Sequence, residues 1–131
     1  MSNIDIDLIE RSFADGIDIS QKNKLNATIQ LVLDSLNTGK IRVAEYLNNE
    51  WVVNEWIKKA ILLSFKLKSN KIIETGYTKF YDKLSSRFQN MTQDYLAEKN
   101  IRIVPQAIAR EGTFIGKNVV LMPSFVNIGA Y

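Results

Sequence analysis

The chain has 131 residues, of which 46% are hydrophobic and 24% are charged. These proportions are typical of a packed globular protein and exclude a largely disordered one. The net charge of +3 comes from 17 basic and 14 acidic residues interleaved along the chain, which disfavours a nucleic-acid interface because such interfaces cluster their basic residues.

The residue types that are missing narrow the possible chemistry. The sequence contains no histidine and no cysteine, which excludes thiolate nucleophiles, Ser-His pairs and nearly every structural zinc site within these residues. Acidic residues occupy the N-terminal region where a signal peptide would need basic and then apolar residues. No apolar run approaches the roughly 20 residues that cross a bilayer. We therefore expect a cytoplasmic protein that binds no metal, membrane or nucleic acid.

Two helices are predicted first. Asn3 is the expected N-cap of a short helix that stops at Gly16, and Ser20 is the expected N-cap of a longer helix that stops at Gly39. The apolar residues at helical spacing are Ile6, Ile9 and Phe13 in the first helix, and Leu25, Ile29, Val32, Leu33 and Leu36 in the second. This spacing gives each helix one buried face.

A hairpin and a third helix follow. Alternating residues after Gly39, a turn at Asn48-Asn49 and a return over residues 51–53 predict two antiparallel strands. Asn54 can then cap the helix "EWIKKAILLSFKLK", whose apolar residues cover most of its circumference and predict a central buried helix. Trp51 and Trp56 either form a ligand platform or pack in the core at the junction of hairpin and helix, and we expect core packing.

The pattern is weaker between the third helix and residue 100. Ile72-Ile73 predicts a short strand, Gly76 a turn, and "KFYDKLSSRF" a mostly extended surface segment. Asn90 or Thr92 is the expected N-cap of a last short helix that ends near Asn100.

The stretch "IRIV" predicts a short strand stopped by Pro105, with Arg102 between apolar neighbours. A guanidinium matches the planar shape of a carboxylate, so Arg102 is a candidate ligand-binding residue. Alternatively, it is an edge-strand residue paired with a nearby glutamate. Four lysines of the third helix and its end are expected to form a solvated face without ligand contacts: Lys58, Lys59, Lys66 and Lys68.

The final stretch repeats every six residues: "IAREGT", "FIGKNV", "VLMPSF", "VNIGAY". The first positions are large and apolar: Ile108, Phe114, Val120 and Val126. The fifth positions are small or turn-favouring: Gly112, Asn118, Ser124 and Ala130. Such a period predicts a three-sided β-helix with the first positions inward and the fifth at tight corners, although chance alternation in a β-rich segment is the alternative. Three sixes make one coil, so we expect a fragment of a longer chain, or a stub that other chains complete.

Several stretches resemble a known family in order and spacing. "IRVAEYLNNEWVVNEWIKKAILLSFKL", "FYDKL", "IRIVP" and above all "NVVLMPSFVNIGAY" are similar to the N-terminal part of the tetrahydrodipicolinate N-succinyltransferases, from about Leu8 to Tyr131. Gln106, where the family often has a second proline, and "YDKLSSRF" depart from the family pattern and leave the local loop shapes open. The resemblance implies an α+β fold: a mainly helical domain over residues 1–104 with a short hairpin, then the first coil of a truncated left-handed parallel β-helix over residues 105–131.

The resemblance also implies a function. Members of the family transfer succinyl from succinyl-CoA to the amino group of ring-opened tetrahydrodipicolinate in diaminopimelate and lysine biosynthesis, as cytoplasmic homotrimers. Succinyl-CoA is then a co-substrate, and no tightly bound cofactor is expected. Arg102 matches the family's arginine that binds the dicarboxylate. The catalytic carboxylates and CoA contacts fall beyond Tyr131, so this chain alone is expected to be inactive. The alternatives are a non-catalytic helical oligomerisation or binding module, and a relative that uses acetyl-CoA.

Overall fold

The computed structural model describes residues 3–76 and 78–131, and within them the fold is α+β. The helices are α1 (Ile6–Ala14), α2 (Lys22–Asn37), α3 (Glu55–Leu67) and α4 (Gln93–Lys99). The strands are β1 (Ala44–Leu47), β2 (Glu50–Val53), β3 (Lys71–Glu74), β4 (Lys79–Asp82), β5 (Arg102–Ile103), β6 (Ile108–Ala109), β7 (Val120–Leu121) and β8 (Phe125–Val126). The predicted α+β class, with helices first and a short hairpin between them, is confirmed.

The first helix starts later than predicted. Its N-cap is Asp5, whose carboxylate accepts a hydrogen bond from the Leu8 backbone N–H at 3.0 Å. The predicted cap, Asn3, lies two residues earlier and was wrong, because a cap must accept from a backbone N–H of the first turn. The stop at Gly16 is confirmed: its φ of +96° ends the helical path.

The second helix also has a different start. Ser20 is not its cap, since it lies inside a 3-10 turn over Ile19–Gln21. Asp18 caps that turn and accepts hydrogen bonds from both the backbone N–H and the hydroxyl of Ser20, each at 2.8 Å. The competing acceptor two residues upstream therefore takes the hydroxyl that was expected to cap α2. The predicted end is confirmed by Gly39, which has φ +72°.

The first three helices enclose the main hydrophobic core. α3 packs against both α1 and α2, which confirms its central place. It is not buried on all sides, since the side chain of Leu62 is exposed. The fully buried members are Leu8, Ile9, Leu25, Ile29, Val32, Leu33, Leu36, Ile57, Ala60 and Leu63. All five apolar positions predicted for α2 are among them, so the helical period located this core correctly.

The predicted hairpin is present as the antiparallel pair β1 and β2, with Leu47 opposite Glu50. Asn48 and Asn49 both have positive φ, as a two-residue type I′ turn requires. The expected burial of Trp51 was wrong: its side chain is 69% exposed and only meets Tyr46 edge-on, with the ring centroids 5.4 Å apart. Nothing among the described residues covers this face of the hairpin. Trp56 does pack against the main core, as expected.

A second antiparallel hairpin joins β3 and β4, with Ile72 opposite Tyr81. The strand at Ile72-Ile73 was predicted, but its pairing was not. The expectation of a mostly extended "KFYDKLSSRF" holds only for β4, because the chain then turns and buries Leu84. Of the two candidate caps for α4, Thr92 is the one used, and its hydroxyl accepts from the Tyr95 N–H at 3.2 Å.

The last thirty residues pair in parallel. β5 pairs with β7, so that Arg102 lies opposite Val120, eighteen residues later. β6 pairs with β8, so that Ile108 lies opposite Phe125, seventeen residues later. Successive short strands that find parallel partners roughly eighteen residues on are consistent with the predicted six-residue period.

The inward positions of this period differ from the prediction. Ile108 and Val120 were expected inside but are exposed. The second positions face inward instead, and together they build a second core: Ile103, Ala109, Ile115 and Leu121, with Ile101 and Val119 beside them. In a strand, neighbouring side chains point to opposite faces, so a register error of one residue exchanges inside and outside. Val126 does pack inward, because the pairing shortens by one residue before β8.

Two of the four residues predicted at tight corners have the expected left-handed backbone. Gly112 and Asn118 have positive φ, as tight corners require, whereas Ala130 does not and its neighbour Gly129 takes that role with φ +89°. Gly129 follows Gly112 by seventeen residues, which matches the shortened pairing of β6 with β8. Ser124 also lacks a positive φ. The segment around Pro123 is thus one residue shorter than a strict repeat.

Candidate functional site

The structure places Arg102 at the start of β5, directly after α4. Asn100 ends that helix in the left-handed conformation, and the Arg102 N–H donates to the Val119 carbonyl at 3.0 Å. Strand alternation then directs Ile103 toward the second core and leaves the Arg102 side chain exposed. The backbone of Arg102 is therefore fixed by a parallel pair while its guanidinium faces outward.

The guanidinium of Arg102 forms no hydrogen bond or ion pair with residues 3–76 or 78–131. The glutamate pairing considered from the sequence is thus not observed in that part of the chain. Its neighbour on the paired strand is Val120, which is 46% exposed. An arginine beside exposed apolar surface is suited to a ligand with a carboxylate next to an aliphatic segment, because the guanidinium fork binds carboxylates bidentately.

The outer side of the strand pair β6–β8 is apolar as well. Ile108 lies opposite Phe125, and both are exposed. Met122, between β7 and β8, is also exposed. Contiguous exposed apolar side chains of this size are typical of surfaces that another molecule or segment covers.

A different arginine, Arg110, is held inside the molecule. Its guanidinium makes a bidentate contact with the Asp82 carboxylate at 2.9 Å and donates to the Asn127 side-chain oxygen at 3.1 Å. It also lies over the Phe65 ring, 5.1 Å from its centroid. Arg110, which follows β6, therefore ties β4 at Asp82 to the end of the chain at Asn127. Sequence reasoning missed this role, because its partners lie far away along the chain.

Arg87 is anchored in a similar way, but to backbone carbonyls. It donates from Nε to the Thr113 carbonyl at 2.9 Å and from a terminal nitrogen to the Asn37 carbonyl at 3.3 Å. It lines an open cleft of about 390 Å³ between the end of α2, the segment around α4 and the repeat segment. The lining comprises Asn37, Thr38, Arg87, Asn90, Met91, Tyr95, Lys99, Phe114, Ile115 and Lys117. No local pattern in the sequence indicates this cleft, since its walls come from three distant stretches.

Two of the four lysines in α3 and at its end form ion pairs within the protein. Lys59 pairs with Glu10 at 2.5 Å, and Lys68 pairs with Glu111 at 3.3 Å. Lys58 and Lys66 are exposed. The expected solvated face is therefore confirmed for Lys58 and Lys66, while Lys59 and Lys68 fasten α3 to α1 and to the repeat segment.

Two kinds of feature are missing from the described part of the chain. In residues 3–76 and 78–131 there is no group of three or more acidic, histidine or cysteine side chains placed to hold a metal ion. Among the helices described, none combines the length and the apolar character needed to cross a bilayer.

Comparison with known proteins gives a consistent result. Residues 6–67 match a family described as "Tetrahydrodipicolinate N-succinyltransferase N-terminal". Three relatives bear the name 2,3,4,5-tetrahydropyridine-2,6-dicarboxylate N-succinyltransferase. The protein of Ralstonia nicotianae is 49% identical over 94% of this chain and 46% of its own length. The protein of Polynucleobacter asymbioticus is 47% identical over 100% of this chain and 50% of its own length. The protein of Acinetobacter baylyi is 44% identical over 95% of this chain and 46% of its own length. The chain thus spans about half the length of these relatives.

Proposed function

We propose that this chain, which belongs to the tetrahydrodipicolinate N-succinyltransferase family, is the N-terminal part of an enzyme that moves succinyl from succinyl-CoA to the amino group of ring-opened tetrahydrodipicolinate. The observation that carries the proposal is identity of 44–49% to three such relatives over 94% or more of this chain. Such an enzyme acts in diaminopimelate and lysine biosynthesis, in the cytoplasm. Succinyl-CoA is its co-substrate, and no tightly bound cofactor is needed.

The proposed reaction is direct acyl transfer. The substrate amine attacks the thioester carbon, the new C–N bond forms, the C–S bond breaks and CoA leaves as the thiol. A carboxylate accepts the proton that the amine loses, and the same proton passes to the departing sulfur, so that CoA is released as the thiol. The absence of histidine and cysteine from this sequence fits a route without an acyl-enzyme intermediate on these residues. No residue of this chain is proposed as the base, and we propose that the base lies in the longer enzyme beyond Tyr131.

Residues 105–131 are proposed to begin a left-handed parallel β-helix, with residues 1–104 as the preceding domain. The parallel pairs β5–β7 and β6–β8 support a coil of this kind, as does the recurrence of positive φ at Gln106, Gly112 and Asn118. The pair β5–β7 also joins the preceding domain to the coil. In such a coil each strand stacks on the one a turn earlier, and the left-handed backbone at every sixth residue forms the corners.

Arg102 is proposed to bind a carboxylate of the dicarboxylate substrate. Its exposed guanidinium, held on a paired strand beside Val120, supports this role. The test uses residues 1–131 fused to the part of the Ralstonia nicotianae relative beyond the match. In this fusion, Arg102→Gln should raise the KM for the acceptor about 10- to 100-fold, since hydrogen bonds to charged groups contribute roughly 1.5–3 kcal/mol.

The matched control is Arg11→Gln, which removes an exposed arginine of α1. It should leave both KM values unchanged, and Arg102→Gln should leave the KM for succinyl-CoA unchanged. An unaltered acceptor KM in Arg102→Gln would remove Arg102 from the site. Repeating the assay with acetyl-CoA decides the donor: comparable turnover would contradict the proposed succinyl specificity.

The longer enzyme is proposed to be a homotrimer, as its family resemblance implies. The exposed apolar side chains Trp51, Val52, Met122 and Phe125 support an assembly in which other chains cover them. Sedimentation equilibrium of the fusion should give three times the monomer mass. A monomer at micromolar concentration would contradict this assignment.

A further inference from the structure

The cleft lined by Arg87, here called the basic cleft, has the composition of a ligand site. Three of its described lining residues are cationic, namely Arg87, Lys99 and Lys117, and no aspartate or glutamate is among the described lining residues. One carboxylate lies nearby: Glu98 pairs with Lys99 at 2.8 Å from a largely exposed position. Lys117 adds to the positive field and contributes to the lowered pKa of Glu98, whose main cause is the hydrogen bond from Lys99. The cleft therefore carries a net positive charge.

The guanidinium at the base of this cleft is pre-organised. Two of its five N–H groups are used by the Thr113 and Asn37 carbonyls, which leaves three that engage no other described residue. Thr113 is fully buried, so this anchor is rigid. A fixed guanidinium loses little conformational entropy when an anion binds, which favours affinity.

The remaining wall is apolar. Met91, Tyr95, Phe114 and Ile115 contribute side chains to the same cleft. The Asn90 amide and the Tyr95 hydroxyl also line it and form no side-chain hydrogen bond within the described residues. A cleft of about 390 Å³ whose lining combines cationic residues with aromatic and aliphatic ones suits a small molecule that has both an anionic and an apolar group.

We propose that the basic cleft binds a small organic anion, a phosphate ester or a carboxylate that carries an apolar group. The anionic group meets Arg87 and Lys117, and the apolar group packs on Tyr95 and Phe114. Because the walls come from α2, the α4 region and the repeat segment, a bound anion connects all three parts. Such a ligand stabilises the folded chain by RT ln(1 + L/Kd), where L is the free ligand concentration, so the unfolding temperature rises as the ligand concentration exceeds Kd.

The test is titration of the 131-residue chain with phenyl phosphate, followed by calorimetry and by thermal unfolding. Phenylacetate is the carboxylate arm, and inorganic phosphate and phenol test each half of the ligand alone. Saturable binding of phenyl phosphate or phenylacetate is expected, about tenfold or more tighter than inorganic phosphate or phenol, since burying a ring contributes well over 1 kcal/mol. No saturable binding by either organic anion, or equal binding of inorganic phosphate, would overturn the proposal.

Two variants locate the site. Lys117→Gln should weaken the Kd about twofold to fivefold, the effect expected of an exposed ion pair. Lys22→Gln makes the same change of charge at the opposite end of α2, about 22 Å away at 1.5 Å per residue, and should leave the Kd unchanged. Equal weakening by both variants, or none by Lys117→Gln, would show that the anion binds elsewhere. Neither lysine packs in the core, so both variants should fold.

Discussion

Two glycines let the repeat segment approach the helical core. A Cβ on Gly112 would lie 2.7 Å from Ile128 Cγ1, and one on Gly129 would lie 3.0 Å from Val43 Cγ2. Ile128 itself packs against the main core. Both glycines also have positive φ. A side chain at either position would therefore combine backbone strain with a steric clash.

Gly112→Ala should destabilise the chain by about 2–5 kcal/mol, the sum of left-handed strain and overpacking against Ile128. Gly16→Ala is the matched control, because Gly16 also has positive φ but a Cβ there would meet no described atom within 4 Å. It should cost only the strain, about 1–2 kcal/mol. Urea unfolding followed by circular dichroism measures both. Equal losses would mean that the close approach to Ile128 contributes nothing.

Single residues were predictable where the requirement is local. The left-handed corner at Gly112 and the turn at Asn48-Asn49 follow from backbone preference alone, and both are observed. The exposure of Trp51 was not predictable, because burial depends on which distant segment covers a side chain. The same limit hid the anchoring of Arg87 and Arg110, whose partners lie 17 or more residues away.

At the scale of elements, the start of α1 depends on charge. Asp5 accepts from the Leu8 N–H and from Lys24 Nζ at 2.7 Å. The hydrogen bond from Lys24, followed by that from Leu8, holds the pKa of Asp5 below its ordinary value of 3.8. A carboxylate with a lowered folded pKa adds stability above its unfolded pKa, and this stability is lost as the pH falls through the folded pKa.

Asp5→Asn should therefore be less stable than the parent chain at pH 7, with a difference that shrinks as the pH falls below 4. Asparagine remains a good N-cap, so the change isolates the charge. Lys24→Gln should remove part of the same pH-dependent stability, and the double variant should lose less than the sum of the single changes. Chemical unfolding between pH 2.5 and pH 7 measures this. A difference that is constant with pH would contradict a role for the Asp5 charge.

Elements were predictable where one pattern extends over several turns. The buried face of α2 followed from its period, and the hairpin β1–β2 from its turn. Helix starts were less accurate, since Asp5 and Asp18 compete as acceptors with the neighbouring polar residues Asn3 and Ser20. Choosing between such neighbours requires the path of the backbone, which the sequence pattern leaves open.

At the scale of the whole molecule, the parallel pairs β5–β7 and β6–β8 are consistent with the six-residue period, but the inward register differs from the prediction. The inward residues Ala109, Ile115 and Leu121 lie one position after the predicted Ile108, Phe114 and Val120, whereas Val126 packs inward as predicted. Both sets contain large apolar residues, so hydrophobicity alone cannot distinguish them. Tyr95 and Leu96 of α4 pack against the second core, so the inward register depends on a segment outside the repeat. The shortened step before Phe125 has no counterpart in a strict period.

The residues alone left Arg102 open between carboxylate binding and a glutamate pair, and the family resemblance favoured carboxylate binding. That resemblance singled out Arg102, whose exposed guanidinium fits a carboxylate-binding role. Val120, which lies opposite Arg102, was expected to be inside but is exposed, so the surroundings of Arg102 could not be foreseen.

The central claim is that this chain is the N-terminal part of a tetrahydrodipicolinate N-succinyltransferase. Thiol release from succinyl-CoA in the presence of tetrahydrodipicolinate tests it most directly, measured in parallel on the 131-residue chain, on its fusion to the remainder of the Ralstonia nicotianae relative, and on that intact relative. We expect acceptor-dependent release by the fusion and by the relative, and none above background by the chain alone. A folded but inactive fusion beside an active relative, or clear turnover by the chain alone, would contradict the account.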